Sequence, residues 1–70
     1  MTPAELTRRL RRLARKRNLA FEMVEGKGSH RHVIFGDRKT MVSFHPGDIP
    51  FVTFRKIMRQ LGLTEDDLRE

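Results

Sequence analysis

The sequence predicts an α+β domain of element order α-β-β-β-α, and three observations carry that reading. Apolar residues recur at helical spacing near both ends, at Leu6, Leu10, Leu13 and Ala14 and again at Phe54, Ile57, Met58 and Leu61. Between these stripes lie three short runs in which apolar and polar residues alternate, as strands with one covered face do. Glycine-bearing turn signals, Gly26-Lys27-Gly28 and Gly36-Asp37-Arg38-Lys39, separate the runs closely enough to make hairpins. Three consecutive strands joined this way form an antiparallel meander, and two helices with one stripe each bury only one of its faces. The other face is expected to stay open.

Each element has its own signal. Thr2 is placed to cap the first helix, Pro3 suits the first helical position, and Glu5 completes a capping box. Arg8, Arg9, Arg11, Arg12, Arg15 and Lys16 cover the face opposite the leucines, and Asn18 ends the helix. Leu19 to Glu25 reads as the first strand, with Leu19, Phe21 and Met23 on one side. Ser29 to Phe35 reads as the second, and Thr40 to Phe44 as the third, with Val42 and Phe44 facing alike. After the loop His45-Pro46-Gly47-Asp48-Ile49, Pro50 starts a second helix that Gly62 terminates. Thr64-x-x-Asp67 caps a last short turn. No repeat or linker interrupts residues 1–70, so they are expected to form one domain.

Composition narrows the function. Seventy residues lie near the size at which a core alone supplies only ~3–5 kcal/mol of net stability, so stability gained from a partner is plausible. The absence of cysteine excludes disulfides and thiolate metal sites. No uninterrupted apolar run exceeds three residues, too short for a membrane span or the apolar region of a signal peptide, and a cytoplasmic protein is expected. Fifteen Lys and Arg against nine Asp and Glu give a net charge of +6 and a pI near 11.1. Such an excess on a short chain attracts polyanions, and nucleic acid is the first candidate.

The chemistry concentrates in Gly26-Lys27-Gly28-Ser29-His30-Arg31-His32-Val33. Strand alternation puts His30, His32 and Ile34 on one face and Arg31, Val33 and Phe35 on the other. If Val33 and Phe35 join the core, both histidines point to the open face; a register slip by one residue would reverse this. Histidine takes and gives protons near neutral pH, which is what cleavage of RNA through its own 2′-hydroxyl requires. That reaction needs neither a cofactor nor a protein nucleophile, and Lys27 with the amides of Gly28 and Ser29 is suited to stabilising the developing phosphorane charge. Arg31, Arg38 and Lys39 are candidates for further backbone contacts, from charge and turn position. His30-x-His32 also matches two metal ligands on one strand face, with His45 or Asp48 as a third, but no motif reaches the spacing of a known zinc site. Ser29 lacks the partners of a nucleophilic serine. From these residues alone a ribonuclease, a non-catalytic RNA-binding module and a small basic protein-interaction domain all remain open.

Taken in order, Gly26-Lys27-Gly28-Ser29-His30, then Phe35-Gly36-Asp37-Arg38-Lys39-Thr40, then Asp48-Ile49-Pro50, Phe54 to Leu63 and the acidic 64–68 segment, the sequence resembles the HicA family of toxin ribonucleases over nearly its whole length. The resemblance implies a double-stranded-RNA-binding-domain-like α-β-β-β-α fold with both helices on one face of the sheet. It also implies a type II toxin–antitoxin toxin that cleaves messenger RNA, with the family's catalytic histidine falling on His30. A cognate HicB-like antitoxin is the implied partner, the chain being a monomer when free and part of a hetero-oligomer when neutralised. Many relatives carry Lys-Gly after the proline that opens the second helix, whereas this chain has Phe51-Val52, an apolar pair open to a partner. No role comes from the resemblance for Arg31 or His32.

Overall fold

In the computed structural model, which describes residues 1–69, the chain forms α1 (Pro3–Lys16), β1 (Phe21–Glu25), β2 (His30–Phe35), β3 (Arg38–Ser43), α2 (Phe51–Leu61) and a final turn, α3 (Glu65–Leu68). The order is the expected α-β-β-β-α with that turn appended. Thr2 caps α1 by accepting the Glu5 backbone N–H at 3.1 Å. The Glu5 carboxylate does not complete the expected box; it takes Arg9 one turn on, at 2.9 Å, where an i,i+4 ion pair is within easier reach. At the other end Asn18 adopts φ 58° and the Leu19 and Asn18 amides donate back to Ala14 and Arg15, the Schellman arrangement that satisfies the last carbonyls. Gly62, at φ 70°, closes α2 in the same way.

The three strands pair antiparallel in the order β1-β2-β3. Their covered face carries Met23, Val33 and Thr40 in one cross-strand row and Glu25, Arg31 and Val42 in the next. Val33, Phe35 and Val42 are buried there against Leu6, Leu10, Leu13 and Ala14 of α1 and Ile57, Met58 and Leu61 of α2, a single cluster completed by Leu63 and Leu68. Phe21, Met23, Phe44 and Phe54 pack around it, half-buried. Both helices therefore cover one face. Thr40, the buried polar residue of β3, donates its hydroxyl to the Gln60 amide oxygen of α2, which removes the cost of leaving it unpaired.

Two expected boundaries move. The first strand begins at Phe21 because the Leu19 amide is spent on capping α1, and Leu19 instead lies over Gly36, 41% exposed. The hairpin between β2 and β3 is a two-residue turn, Gly36-Asp37, with Phe35 opposite Arg38; the four-residue turn through Lys39 is not formed. Gly36 at φ 63° supplies the positive dihedral that lets so short a connection close.

α3 is docked by charge. Asp67 accepts the Thr64 backbone N–H at 2.7 Å in a capping box and receives the Arg17 guanidinium at 2.7 Å from the end of α1. The Thr64 backbone hydrogen bond first, then the one from Arg17, holds the Asp67 carboxyl below its ordinary value. A carboxylate whose pKa is depressed by folding stabilises the fold above the unfolded-state value, near 3.9, and that contribution disappears as pH falls through the folded value. Asp67→Asn is therefore expected to lower the urea midpoint at neutral pH slightly and to leave it closer to wild type at pH 2 to 3, read from paired urea melts. Because the pair is solvent-exposed, the difference will be small.

Candidate functional site

The open face of the sheet presents three rows. Glu22, Ile34 and Lys39 form one, Val24, His32 and Met41 the next, and Gly26, His30 and Ser43 the last, at the hairpin end. Val24 and Met41 are each 49% exposed, so no helix shields this surface. His30 opens β2: its amide donates to the Lys27 carbonyl at 3.1 Å and its carbonyl accepts the Gly26 amide at 2.9 Å, which closes the loop 27–29. The imidazole is half-buried and lies outside the core, with Nδ1 3.1 Å from Ser43 Oγ. One of the two atoms donates and the other accepts, according to the ring's tautomer. With Nδ1 engaged, Nε2 is the nitrogen left for another partner.

The glycines of the hairpin answer different demands. Gly28 sits at φ 63° with open space around it, so only its backbone conformation excludes other residues. Gly26 is limited by space: a Cβ there would stand 3.2 Å from the His30 carbonyl oxygen and 3.3 Å from Cδ2 and Nε2 of His32. The His32 ring thus leans along the face into the room that Gly26 leaves beside His30. Among the described residues no hydrogen bond engages the amides of Lys27, Gly28 or Ser29, while the Ser29 carbonyl accepts the Phe44 amide at 2.8 Å. The three unengaged amides and the exposed Lys27 side chain belong to the loop that leads directly into the half-buried His30, an arrangement suited to an anionic oxygen.

The structure thus brings Lys27, Gly28, Ser29 and His30 together. Lys39 shares their face but stands two rows from His30, roughly 13 Å along β3 from Ser43 at strand spacing. Arg31 and Arg38 project from the other face. The Arg31 guanidinium lies over the Phe44 ring at 4.5 Å, and that of Arg38 packs against Gly62 at the end of α2. His45 is exposed in the loop after β3, and among the described residues no three His, Asp or Glu side chains converge as metal ligands would. Ser43 is the residue the sequence reading missed. A four-residue turn would have set His45 opposite His30, whereas the observed two-residue turn, legible in Gly36-Asp37, sets Ser43 there. The basic face of α1 is partly engaged, Arg9 by Glu5, Arg17 by Asp67, and Arg11 over the Phe21 ring at 5.3 Å.

Residues 8–63 match the family model described as HicA toxin of bacterial toxin–antitoxin systems, a span running from α1 through the hairpin to the end of α2. The chain belongs to the HicA toxin family. Comparison with curated proteins and with solved structures finds no match. As a HicA-family protein it is the toxin of a toxin–antitoxin pair, and a cognate antitoxin is its partner. Near the start of α2, Phe51 is 63% and Val52 80% exposed, so the departure noted in the sequence lies on the surface. Among the described residues no helix is long and apolar enough to cross a membrane.

Proposed function

We propose that this HicA-family toxin is an endoribonuclease that cleaves messenger RNA in the cytoplasm through the substrate's own 2′-hydroxyl, with His30 as general base. The observation that carries this reading is the His30 imidazole, oriented by Ser43 on an uncovered face beside three unengaged amides. With Nδ1–H donating to Ser43 Oγ, the Nε2 lone pair takes the proton of the 2′-oxygen as that oxygen bonds to phosphorus. Lys27 and the amides of Gly28 and Ser29 stabilise the charge that develops on the non-bridging oxygens. The bond from phosphorus to the 5′-oxygen then breaks, which leaves a 2′,3′-cyclic phosphate and a 5′-hydroxyl. The nucleophile belongs to the substrate, so the chemistry asks for no metal.

The leaving 5′-oxygen needs a proton, and we assign its delivery to His32. It lies two residues along the same strand face, about 6.6 Å at strand spacing, with its ring leaning toward the His30 row. His32→Ala is expected to lower kcat/KM, and a substrate with sulfur in place of the bridging 5′-oxygen, which leaves without a proton, should restore its rate. The same sulfur should not rescue His30→Ala.

A HicB-like antitoxin is the proposed inhibitor, with the exposed Phe51-Val52 pair as one of its contacts; the free toxin is a monomer and the neutralised form a hetero-oligomer. The direct test is expression in a host cell. Growth arrest that is lifted both by His30→Ala and by the co-expressed antitoxin is the expected result. Equal toxicity of His30→Ala at equal protein level overturns the assignment of His30.

A further inference from the structure

We infer that the groove between β3 and α2 holds the phosphate on the 3′ side of the scissile one in single-stranded RNA, an inference that rests on the nuclease reading above and extends its site. Thr53, Lys56 and Gln60 lie on one face of α2 at spacings of three and four residues and line this groove of about 300 Å³. His32, Lys39 and Met41 of the sheet form the other wall, and the lining contains no carboxylate. Among the described residues neither Lys39 nor Lys56 has an acidic partner, so two ammonium groups share a groove with nothing to neutralise them. Like charges so placed repel, and an anion between them turns that repulsion into attraction. Gln60 adds a donor, because Thr40 occupies its amide oxygen and leaves the NH₂ for a ligand.

Position and polarity tie the groove to RNA. His32 belongs both to its wall and to the row beside His30 and Ser43, so the groove begins one row from the reacting phosphate, on the side where the 5′-oxygen departs. The chain that follows that oxygen is the 3′ portion of the substrate. Across the sheet, Glu22 of β1 stands in the same row as Lys39, so the field drives a polyanion to the β3 edge and away from β1. Bases of a strand lying there turn toward Val24 and Met41, the exposed apolar residues of the middle row. A duplex cannot splay its bases in this way, hence the single strand.

The test uses the whole chain and a short 2′-O-methyl RNA, which lacks the nucleophile and is not cleaved. Binding is measured by fluorescence anisotropy across a salt series. Removing both groove lysines, Lys39→Ala with Lys56→Ala, is expected to reduce the slope of log K against log salt by about 0.7, the share of one phosphate on a single strand. Arg15→Ala with Lys16→Ala, which removes two cations from the exposed end of α1, should leave the slope near wild type. In a second arm, wild-type kcat/KM on a dinucleotide should rise about tenfold when a 3′-phosphate is added, about 1.4 kcal/mol of binding, and the groove variant should show no rise. An unchanged slope in the groove variant, or an equal loss in the α1 variant, overturns the inference and leaves the groove to another partner such as an acidic protein. Cleavage by wild type with an unchanged slope sinks the groove alone. A groove-dependent slope without cleavage of any RNA supports the groove and sinks the nuclease reading.

Discussion

His30→Ala is expected to lower the rate of RNA cleavage by ~10²–10⁴-fold, the usual contribution of a positioned general base. The loss should appear in kcat more than in KM, because the amides and Lys27 that face the phosphate remain in place. The substitution should leave the fold intact. The ring is half-buried on the open face, and its one hydrogen bond goes to a half-buried serine that water serves equally well. Thermal melts of wild type and variant should agree within a few degrees, which separates lost chemistry from lost structure. Ser43→Ala gives a graded control: the imidazole stays but loses the group that fixes its tautomer and direction, so the rate should fall by less than in His30→Ala.

Leu10→Ala is expected to unfold most of the protein at 25 °C in the absence of its antitoxin. Leu10 is fully buried at the centre of the α1 stripe, with Leu6 on the turn before it and Leu13 and Ala14 on the turn after. A buried leucine truncated to alanine costs roughly 3–5 kcal/mol through lost transfer energy and the cavity left behind. A domain of this size has only about that much to lose, ~3–5 kcal/mol, so the variant sits near or below its midpoint. Urea melts followed by circular dichroism would show a missing or greatly shortened native baseline. A partner that binds only the folded form adds back about 2.7 kcal/mol at a hundred times its Kd, so excess antitoxin should restore much of the helical signal. A cooperative melt of wild-type midpoint in Leu10→Ala would mean that the stripe is not the centre of the core.

The fold was legible because the two helical stripes differ in period from the strands between them. Leu6, Leu10, Leu13 and Ala14 on one side and Ile57, Met58 and Leu61 on the other all reached the core, and period-two alternation correctly divided Val33 and Phe35 from His30 and His32. Polar composition alone left turn length open, although Gly36-Asp37 carried the signal for a two-residue turn. Gly36-Asp37-Arg38-Lys39 reads as four polar residues, but a turn needs only two of them when the first is a glycine at positive φ, and the other two then pair with Phe35 and Ile34. That difference of two residues hid Ser43 from view, since the partner of His30 depends on register across the hairpin. Charge alone cannot say which face a basic residue takes, and the strand parity of Arg31 and Arg38 turns both toward the helices, where Phe44 and Gly62 receive them. The lysine of α2 in the groove, Lys56, went unnoticed because nothing in a sequence brings a helix face beside an edge strand. The role of Gly26 was equally hidden, as it lies in the ring packed above it.

The most direct test of the central claim is incubation of the purified chain with a long transcript in EDTA, followed by analysis of the new ends. Fragments that terminate in a 2′,3′-cyclic phosphate or its hydrolysis product, paired with 5′-hydroxyl ends and missing from the His30→Ala reaction, are predicted. An intact transcript, or identical fragments from His30→Ala, would contradict it.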